Sequence, residues 1–253
     1  PCMLGSGVVA GLMTLQEAYA KKDDAEISVE AELERIGYKG NGWLKPGAYF
    51  ELHVEQGPVL DAKGISIGVV EGIQGIAWWQ GKYQGEANHA GTTPLDMRHD
   101  ALLGAAELVC FVRKLAEEMG HDTRTTVGRL HPHPDIINVV PGQASFTIDL
   151  RQYDEVLYEE GKRRAEALVA QTASNHHLEY ELEMVGDANP VHFNPDMVDL
   201  VERMAREAAF SCMRLPSGAG HDAQYMHSIC PTAMIFVPSV GGRSHCPQEM
   251  TDF

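Results

Sequence analysis

The chain has 253 residues, 44% hydrophobic and 22% charged, the balance of a globular protein with room for one large or two modest cores. With 36 acidic residues against 20 basic ones the formal charge is -16, which argues against nucleic acid and anionic membrane as partners but leaves a small anionic substrate open. No apolar run reaches the roughly 18 to 20 residues that span a bilayer, the first ten residues lack a signal peptide's basic region, and five scattered cysteines without a CxxC pair read as reduced thiols of a cytosolic protein.

In chain order, residues 24–40 read as a polar segment followed by ELERIGYKG, a helix end closed by glycine. AYFELHVEQG alternates Phe50, Leu52 and Val54 against Glu51, His53 and Glu55, the period of a strand. ISIGVVEGIQG, apolar and β-branched, reads as another strand, and so does 76–85. Over 98–119, Leu102, Ala105, Val109, Val112, Leu115 and Met119 mark an amphipathic helix stopped by Gly120. TRTTVGRL predicts a strand, followed by a loop around HPHPD and NVVPG, in which His131 and His133 belong to a proline-stiffened turn. SFTIDLR alternates Phe146, Ile148 and Leu150 against Thr147, Asp149 and Arg151. A second helix is expected over 156–174, with Leu157, Ala165, Leu168, Val169 and Thr172 on one face. LEYELEMV then alternates Leu178, Tyr180, Leu182 and Met184 against three glutamates.

From 76 to 185 the order is therefore β-α-β-β-α-β, the pattern of a ferredoxin-like sheet carrying two helices on one face. A helix over 195–210 and the apolar run TAMIFV follow, the latter suited to the interior of a parallel sheet. The expected architecture is α/β: a doubly wound domain built from 1–75 and 191–253, interrupted by a ferredoxin-like domain at 76–190.

Several side chains could carry chemistry, each with an ordinary alternative. His53 precedes the Gln56-Gly57-Pro58 strand end, where ligands collect in such sheets. It suits a divalent metal, or a hydrogen bond to Glu51 or Glu55. His245 follows TAMIFV and a Gly241-Gly242 turn, so two histidines at strand ends could meet on one ion. His89, in a loop of small residues, could donate to a developing oxyanion or bond Thr92 or Thr93 as a loop cap. Arg151 could clamp a carboxylate with its planar fork or pair with Asp149. Asn138 could orient the same ligand or shape a turn. Near Gly218 and Gly220, His221-Asp222 starts a helix, with Asp222 as a possible N-cap. Cys246 could assist His245 or fill space.

Taken in order, ELHVEQGPVL, GEANHAGTTP with RHDA, NVVPG, FTIDLR, SGAGHDAQ and SHCPQE closely resemble the binuclear metal amidohydrolases that include N-carbamoyl-L-amino acid hydrolases, allantoate amidohydrolases and β-ureidopropionases. GSGVVAG and ERIGYKG look most like the carbamoyl-amino-acid branch. The resemblance covers nearly the whole chain. It implies an aminoacylase/carboxypeptidase-type two-domain fold in which the inserted domain is a lid and dimerisation domain. It matches His53 and His245 to metal ligands, Gln56, Asn138 and Arg151 to substrate contacts, and His89 to the residue that polarises the scissile carbonyl.

The implied reaction is hydrolysis of the ureido C–N bond of N-carbamoyl-L-amino acids, or of allantoate, by a cytosolic homodimer using two divalent ions (Zn, Mn or Co). The family's remaining metal ligands and its catalytic glutamate are expected upstream of Pro1, and a further helix after the C-terminal region. On that reading the 253 residues are a fragment of a longer protein, and a non-catalytic dimerisation or ligand-binding piece is the alternative. Arg243 and Cys246 flank Ser244-His245 where the family usually has an aliphatic residue and a Ser or Asn.

Overall fold

The computed structural model describes residues 3–252; Pro1, Cys2 and Phe253 lie outside the described residues. Three short helices open the chain, α1 (Leu4–Val9), α2 (Leu15–Ala20) and α3 (Val29–Arg35). A capping box starts α2: the Thr14 hydroxyl accepts from Glu17 N–H at 3.2 Å, and the Glu17 carboxylate accepts from Thr14 N–H at 2.8 Å. Strand β1 (Tyr49–Val54), helix α4 (Val59–Lys63) and strand β2 (Ile67–Ile73) follow.

The chain divides into two units, the first formed by Pro1–Ile73 with His192–Phe253 and the second by Gln74–Val191. The second contains β3 (Gly75–Gln84), β4 (Asn88–His89), α5 (Ala101–Met119), β5 (Arg124–Thr126), β6 (Leu130–His133), β7 (Val139–Val140), β8 (Gln143–Gln152), α6 (Glu155–Asn175) and β9 (Glu179–Ala188). After β10 (Val191–His192), the first unit resumes with α7 (Pro195–Glu207), β11 (Cys212–Ser217), α8 (Ala223–Met226) and β12 (Thr232–Val237).

In the second unit an antiparallel sheet runs in the order β5-β8-β3-β9, with β6 also on β8. Along β8 the residues alternate strictly. Ala144, Phe146, Ile148 and Leu150 are buried with Trp79 and Tyr83 of β3, and Ser145, Thr147, Asp149 and Arg151 take the other face. Helices α5 and α6 cover the apolar face through Leu108, Val112, Leu115, Tyr158 and Val169. Burying each such side chain contributes about 1.5–3 kcal/mol. Asp100 caps α5 by accepting from the Leu102 and Leu103 amides, both at 3.0 Å.

Three expectations change here. TRTTVGRL is not one strand: residues 127–129 face only Thr147 and Ile148 of β8, so a bulge separates β5 from β6. HPHPD is not wholly a loop, because β6 includes His131, Pro132 and His133 and tolerates the proline by pairing on one side only. The apolar side of β9 is half-covered, with Tyr180 46% and Met184 38% exposed, because β9 is an edge strand.

The sheet of the first unit is mixed. TAMIFV does lie inside it, parallel to β1 but antiparallel to β2, and β11 runs parallel to β2 on the far side. Helix α7 packs on β2, β12 and β11, and Leu60, Val69, Val70, Ile73, Met234 and Phe236 are fully buried. Among the described residues no helix is long and apolar enough to cross a membrane. Cys110, Cys212, Cys230 and Cys246 carry free thiols.

Candidate active site

In the first unit, β1 and β12 run side by side with His53 opposite Phe236. The polar face of β1 is the more covered: Phe50 and Leu52 are 49% and 68% exposed, while Glu51 and His53 are half-buried. Neighbouring groups account for this. The Glu51 carboxylate accepts from the Ala223 amide at 2.8 Å and from the Tyr49 hydroxyl at 3.2 Å, which ties β1 to the start of α8. Glu55 accepts from the Val59 and Leu60 amides at 2.9 and 2.8 Å and so caps α4. Glu51, rather than Asp222, takes the first amide of α8, and Asp222 instead accepts from the Ser6 hydroxyl.

His53 therefore bonds neither glutamate. Its Nδ1 donates to the Val54 carbonyl at 2.8 Å, since a carbonyl oxygen only accepts. That bond sets the tautomer and leaves the lone pair on Nε2, the arrangement found in metal-ligating histidines whose other ring nitrogen is held by a backbone oxygen. The His221 ring stands edge-on to His53 with centroids 4.7 Å apart. Burial, reinforced by the neighbouring His53 and opposed by Asp222, pushes the His221 pKa down to about 4, so it is a neutral wall at neutral pH. Its Nε2 meets the Ser217 hydroxyl at 2.8 Å.

His245 lies beyond β12 on a turn packed against the strand-end loop of β1. Gly242 sits at φ 64, and a Cβ there would stand 2.6 Å from Pro58 Cα and Cβ, so glycine alone permits the approach. The Gly241 amide also donates to Asp61 at 3.0 Å. With the two loops joined, the Gln56 amide donates to His245 Nε2 at 3.0 Å. Both residues hold left-handed backbone, φ 59 and φ 57, a local strain typical of functional sites.

Glu249 completes the group and carried no signal in strand or helix period. Its carboxylate accepts from the Ser244 hydroxyl at 2.6 Å and the His245 amide at 3.2 Å. Those two bonds hold the carboxyl below its ordinary range. The donor chemistry of His53 and His245, neutral imidazoles each with a lone pair on Nε2, suits a divalent ion. An ion on His245 Nε2 would take the lone pair to which Gln56 now donates. Among the described residues no three His, Cys, Asp or Glu side chains form a metal cluster by themselves.

In the second unit, β4 and β7 form a two-stranded ribbon pairing Asn88 with Val140 and His89 with Val139, and the Ala90 amide donates to the Asn138 carbonyl at 3.0 Å. The ribbon thus brings His89 and Asn138 together. The His89 carbonyl accepts from the Thr93 hydroxyl at 2.8 Å, so the threonine cap is made by the backbone, not the ring. The exposed ring accepts the Gly91 amide on Nδ1 at 3.0 Å, which places the proton on Nε2. Arg98 fastens the loop through the Thr93 and Ala90 carbonyls at 3.0 and 2.6 Å.

Arg151 lies elsewhere in that unit, on the large sheet opposite Ile76 and Arg124. Its Nε and Nη2 donate to the two carboxylate oxygens of Asp149 at 3.0 and 2.8 Å, the pairing that was the ordinary alternative for this residue. Cys246, adjacent to His245, has no hydrogen bond to that ring and stays a half-buried free thiol.

Residues 6–253 match the model of peptidase family M20/M25/M40. The chain is 41% identical over 252 residues to an N-carbamoyl-L-amino-acid amidohydrolase of Rhizobium meliloti, covering 98% of this chain and 61% of that protein. It is 31% identical over 253 residues to an allantoate amidohydrolase of Bacillus subtilis, with 98% and 61% covered. Among solved structures, an amidase of the hydantoinase/carbamoylase family from Burkholderia multivorans superposes with a TM-score of 0.96 at 39% identity, over 100% of this chain and 62% of that one. The chain spans about three fifths of the length of these relatives. Its mixed α/β fold is theirs, and with a family model matched from residue 6 to residue 253 the chain belongs to peptidase family M20/M25/M40.

Proposed function

We propose that the protein carrying this chain is a metal-dependent amidohydrolase. It would cleave the ureido C–N bond of N-carbamoyl-L-amino acids with one water, giving the L-amino acid, carbon dioxide and ammonia. The observation that carries this reading is the tautomer of His53 near the end of β1, with Nδ1 on the Val54 carbonyl and the lone pair left on Nε2, in the same unit as the Gln56–His245 bond that joins the two strand-end loops. The similarity to the Rhizobium meliloti N-carbamoyl-L-amino-acid amidohydrolase supports the substrate class.

In this reading His53 and His245 hold divalent ions (Zn, Mn or Co) together with ligands from the rest of the parent protein. Bound there, such ions supply Lewis-acid polarisation of the carbonyl and activation of water near neutral pH. The residues of this chain divide the remaining tasks. His89 donates its Nε2 proton to the oxyanion that develops on the ureido oxygen. Arg151 takes the substrate carboxylate, and Gln56 and Asn138 orient the ureido end, so that attack starts from a fixed geometry. The Gln74–Val191 unit acts as lid and dimerisation domain of a cytosolic homodimer.

The test is elemental analysis of the full-length protein after loading with Mn, Zn or Co, paired with ammonia release from N-carbamoyl-L-methionine and from allantoate. About two ions per chain with turnover of the carbamoyl amino acid is the expected result. Turnover of allantoate alone would move the protein to the activity named for its Bacillus subtilis relative. Full metal occupancy without turnover of either compound would overturn the reading.

A further inference from the structure

We propose, on the reading above that His53 holds a divalent ion, that His221 is a positioning residue for His53: a buried imidazole, pinned by Ser217, against which the ligand ring rests.

A histidine binds an ion well only when its ring is already aimed, because ordering a mobile side chain offsets part of the binding energy. The bond from His53 Nδ1 to the Val54 carbonyl, at 2.8 Å, fixes one nitrogen of that ring. A single hydrogen bond to the adjacent residue leaves the tilt of the ring plane open. His221 supplies the second contact: the two rings meet edge-on, with 4.7 Å between centroids and 67° between planes, an arrangement that aromatic pairs prefer.

A support must itself be immobile, and His221 is buried, at 4% exposure. Its Nε2 meets the Ser217 hydroxyl at 2.8 Å, and its Nδ1 stands 3.7 Å from Glu51 Oε1. Ser217, buried at the end of β11, is fixed in turn by the Ala219 amide, which donates to its Oγ at 3.1 Å. A half-turn of the His221 ring would put a carbon where Nε2 now stands and break a bond made out of reach of water. The ring also packs against Phe236 at 5.7 Å between centroids, and Phe236 is the residue that β12 sets opposite His53. Glu51 precedes His53 by two residues on the same face of β1, and its Oε2 holds the Ala223 amide at the start of α8. Strands β1 and β12, the end of β11 and the start of α8 thus bear on one ring, and that ring touches His53. An apolar side chain would fill the same space without the cost of burying two ring nitrogens. What the imidazole adds is a fixed orientation, passed to the one neighbour that has to be aimed.

The experiment titrates Co(II) into the metal-free full-length protein. Affinity is read by competition with a chelator, ligand geometry by the cobalt d–d absorption bands, and stability by urea denaturation of the metal-free protein. His221→Phe keeps an aromatic ring but has no nitrogen to bond Ser217; it should weaken Co(II) binding by about ten-fold or more and shift the bands. Ser217→Ala leaves both rings intact and should weaken binding in the same direction by roughly three-fold. A merely structural role would lower the denaturation midpoint and leave affinity and bands unchanged. Unchanged affinity and bands in Ser217→Ala and in folded His221→Phe, while His53→Ala loses the ion, overturn the proposal and leave the ligand role of His53 standing. Should His221→Phe fail to fold, the same result in Ser217→Ala overturns it alone. Full occupancy in His53→Ala overturns both the proposal and the ligand role of His53.

Discussion

Replacing His89 with alanine separates a kinetic role from a structural one, because the two consequences are of different size. The loop is held by groups that alanine keeps. The His89 carbonyl still accepts from the Thr93 hydroxyl and amide at 2.8 and 3.1 Å, Arg98 still bonds the Thr93 and Ala90 carbonyls, and the β4–β7 ribbon retains its pairing. The ring is exposed, and its removal frees the Gly91 amide to bond water, so the stability cost is at most about 1 kcal/mol. The kinetic loss is larger. An oxyanion donor is worth about 100- to 1,000-fold in kcat, or about 2.7–4 kcal/mol. The assay is ammonia release from N-carbamoyl-L-methionine by the metal-loaded full-length protein, with metal content and urea denaturation measured on the same preparation. The expected outcome is kcat down by at least about 100-fold at unchanged metal content and near-native stability. A kcat within a few-fold of wild type would reject the oxyanion donor, and loss of metal in parallel with kcat would move His89 to the ligand set.

Three further outcomes follow from the structure. His53→Ala should lose most bound divalent metal while keeping its fold, since the ring bonds only backbone on its Nδ1 side; retained full occupancy by elemental analysis would refute its ligand role. Asp100→Ala deprives two α5 amides of their acceptor and should cost about 1 kcal/mol in chemical denaturation, with no change in metal content; a cost below a few tenths would mean water caps the helix equally well. Asp187 gives a pH dependence. Burial opposes ionisation of its carboxyl, but the Tyr158 hydroxyl at 2.6 Å and Lys162 at 3.1 Å outweigh it and lower the pKa. A depressed carboxyl stabilises the folded state above its unfolded pKa, near 4, and that contribution fades as pH falls through the folded value. Asp187→Asn should therefore be less stable than wild type at pH 7 and converge with it toward pH 3, by urea denaturation; a gap independent of pH would refute the assignment.

Much of this architecture was decided locally. The alternation of Phe146, Ile148 and Leu150 against Asp149 and Arg151 made β8 legible, because a strand's faces repeat every two residues whatever it packs on. Helix α5 was legible from its apolar positions at helical period and the Gly120 stop, while its start is set three residues later than the period alone suggests by the Asp100 cap. The three opening helices show less of this: α2 has its Thr14-x-x-Glu17 box and α3 its glycine-closed ELERIGYKG end, but helices of six or seven residues leave little periodicity to read. The motifs around His53, His89 and His245 could be read for residue type and order, and through them for the family.

What the chain could not reveal locally depends on contacts between distant segments. Which face of β1 is covered was settled by Ala223, whose amide draws Glu51 inward and reverses the exposure that the hydrophobic pattern implied. The tautomers of His53 and His89 follow from a single backbone carbonyl and a single backbone amide, and neither spacing nor composition encodes a proton's position. Gln56 meets His245 only because the Gly242 turn lies on Pro58, nearly two hundred residues away in sequence. Arg151 was ambiguous between ligand clamp and ion pair for the same reason. Its partner Asp149 is two positions along the same strand, but a second group on that carboxylate, the Trp78 indole, arrives from another strand that lies opposite only in the assembled sheet.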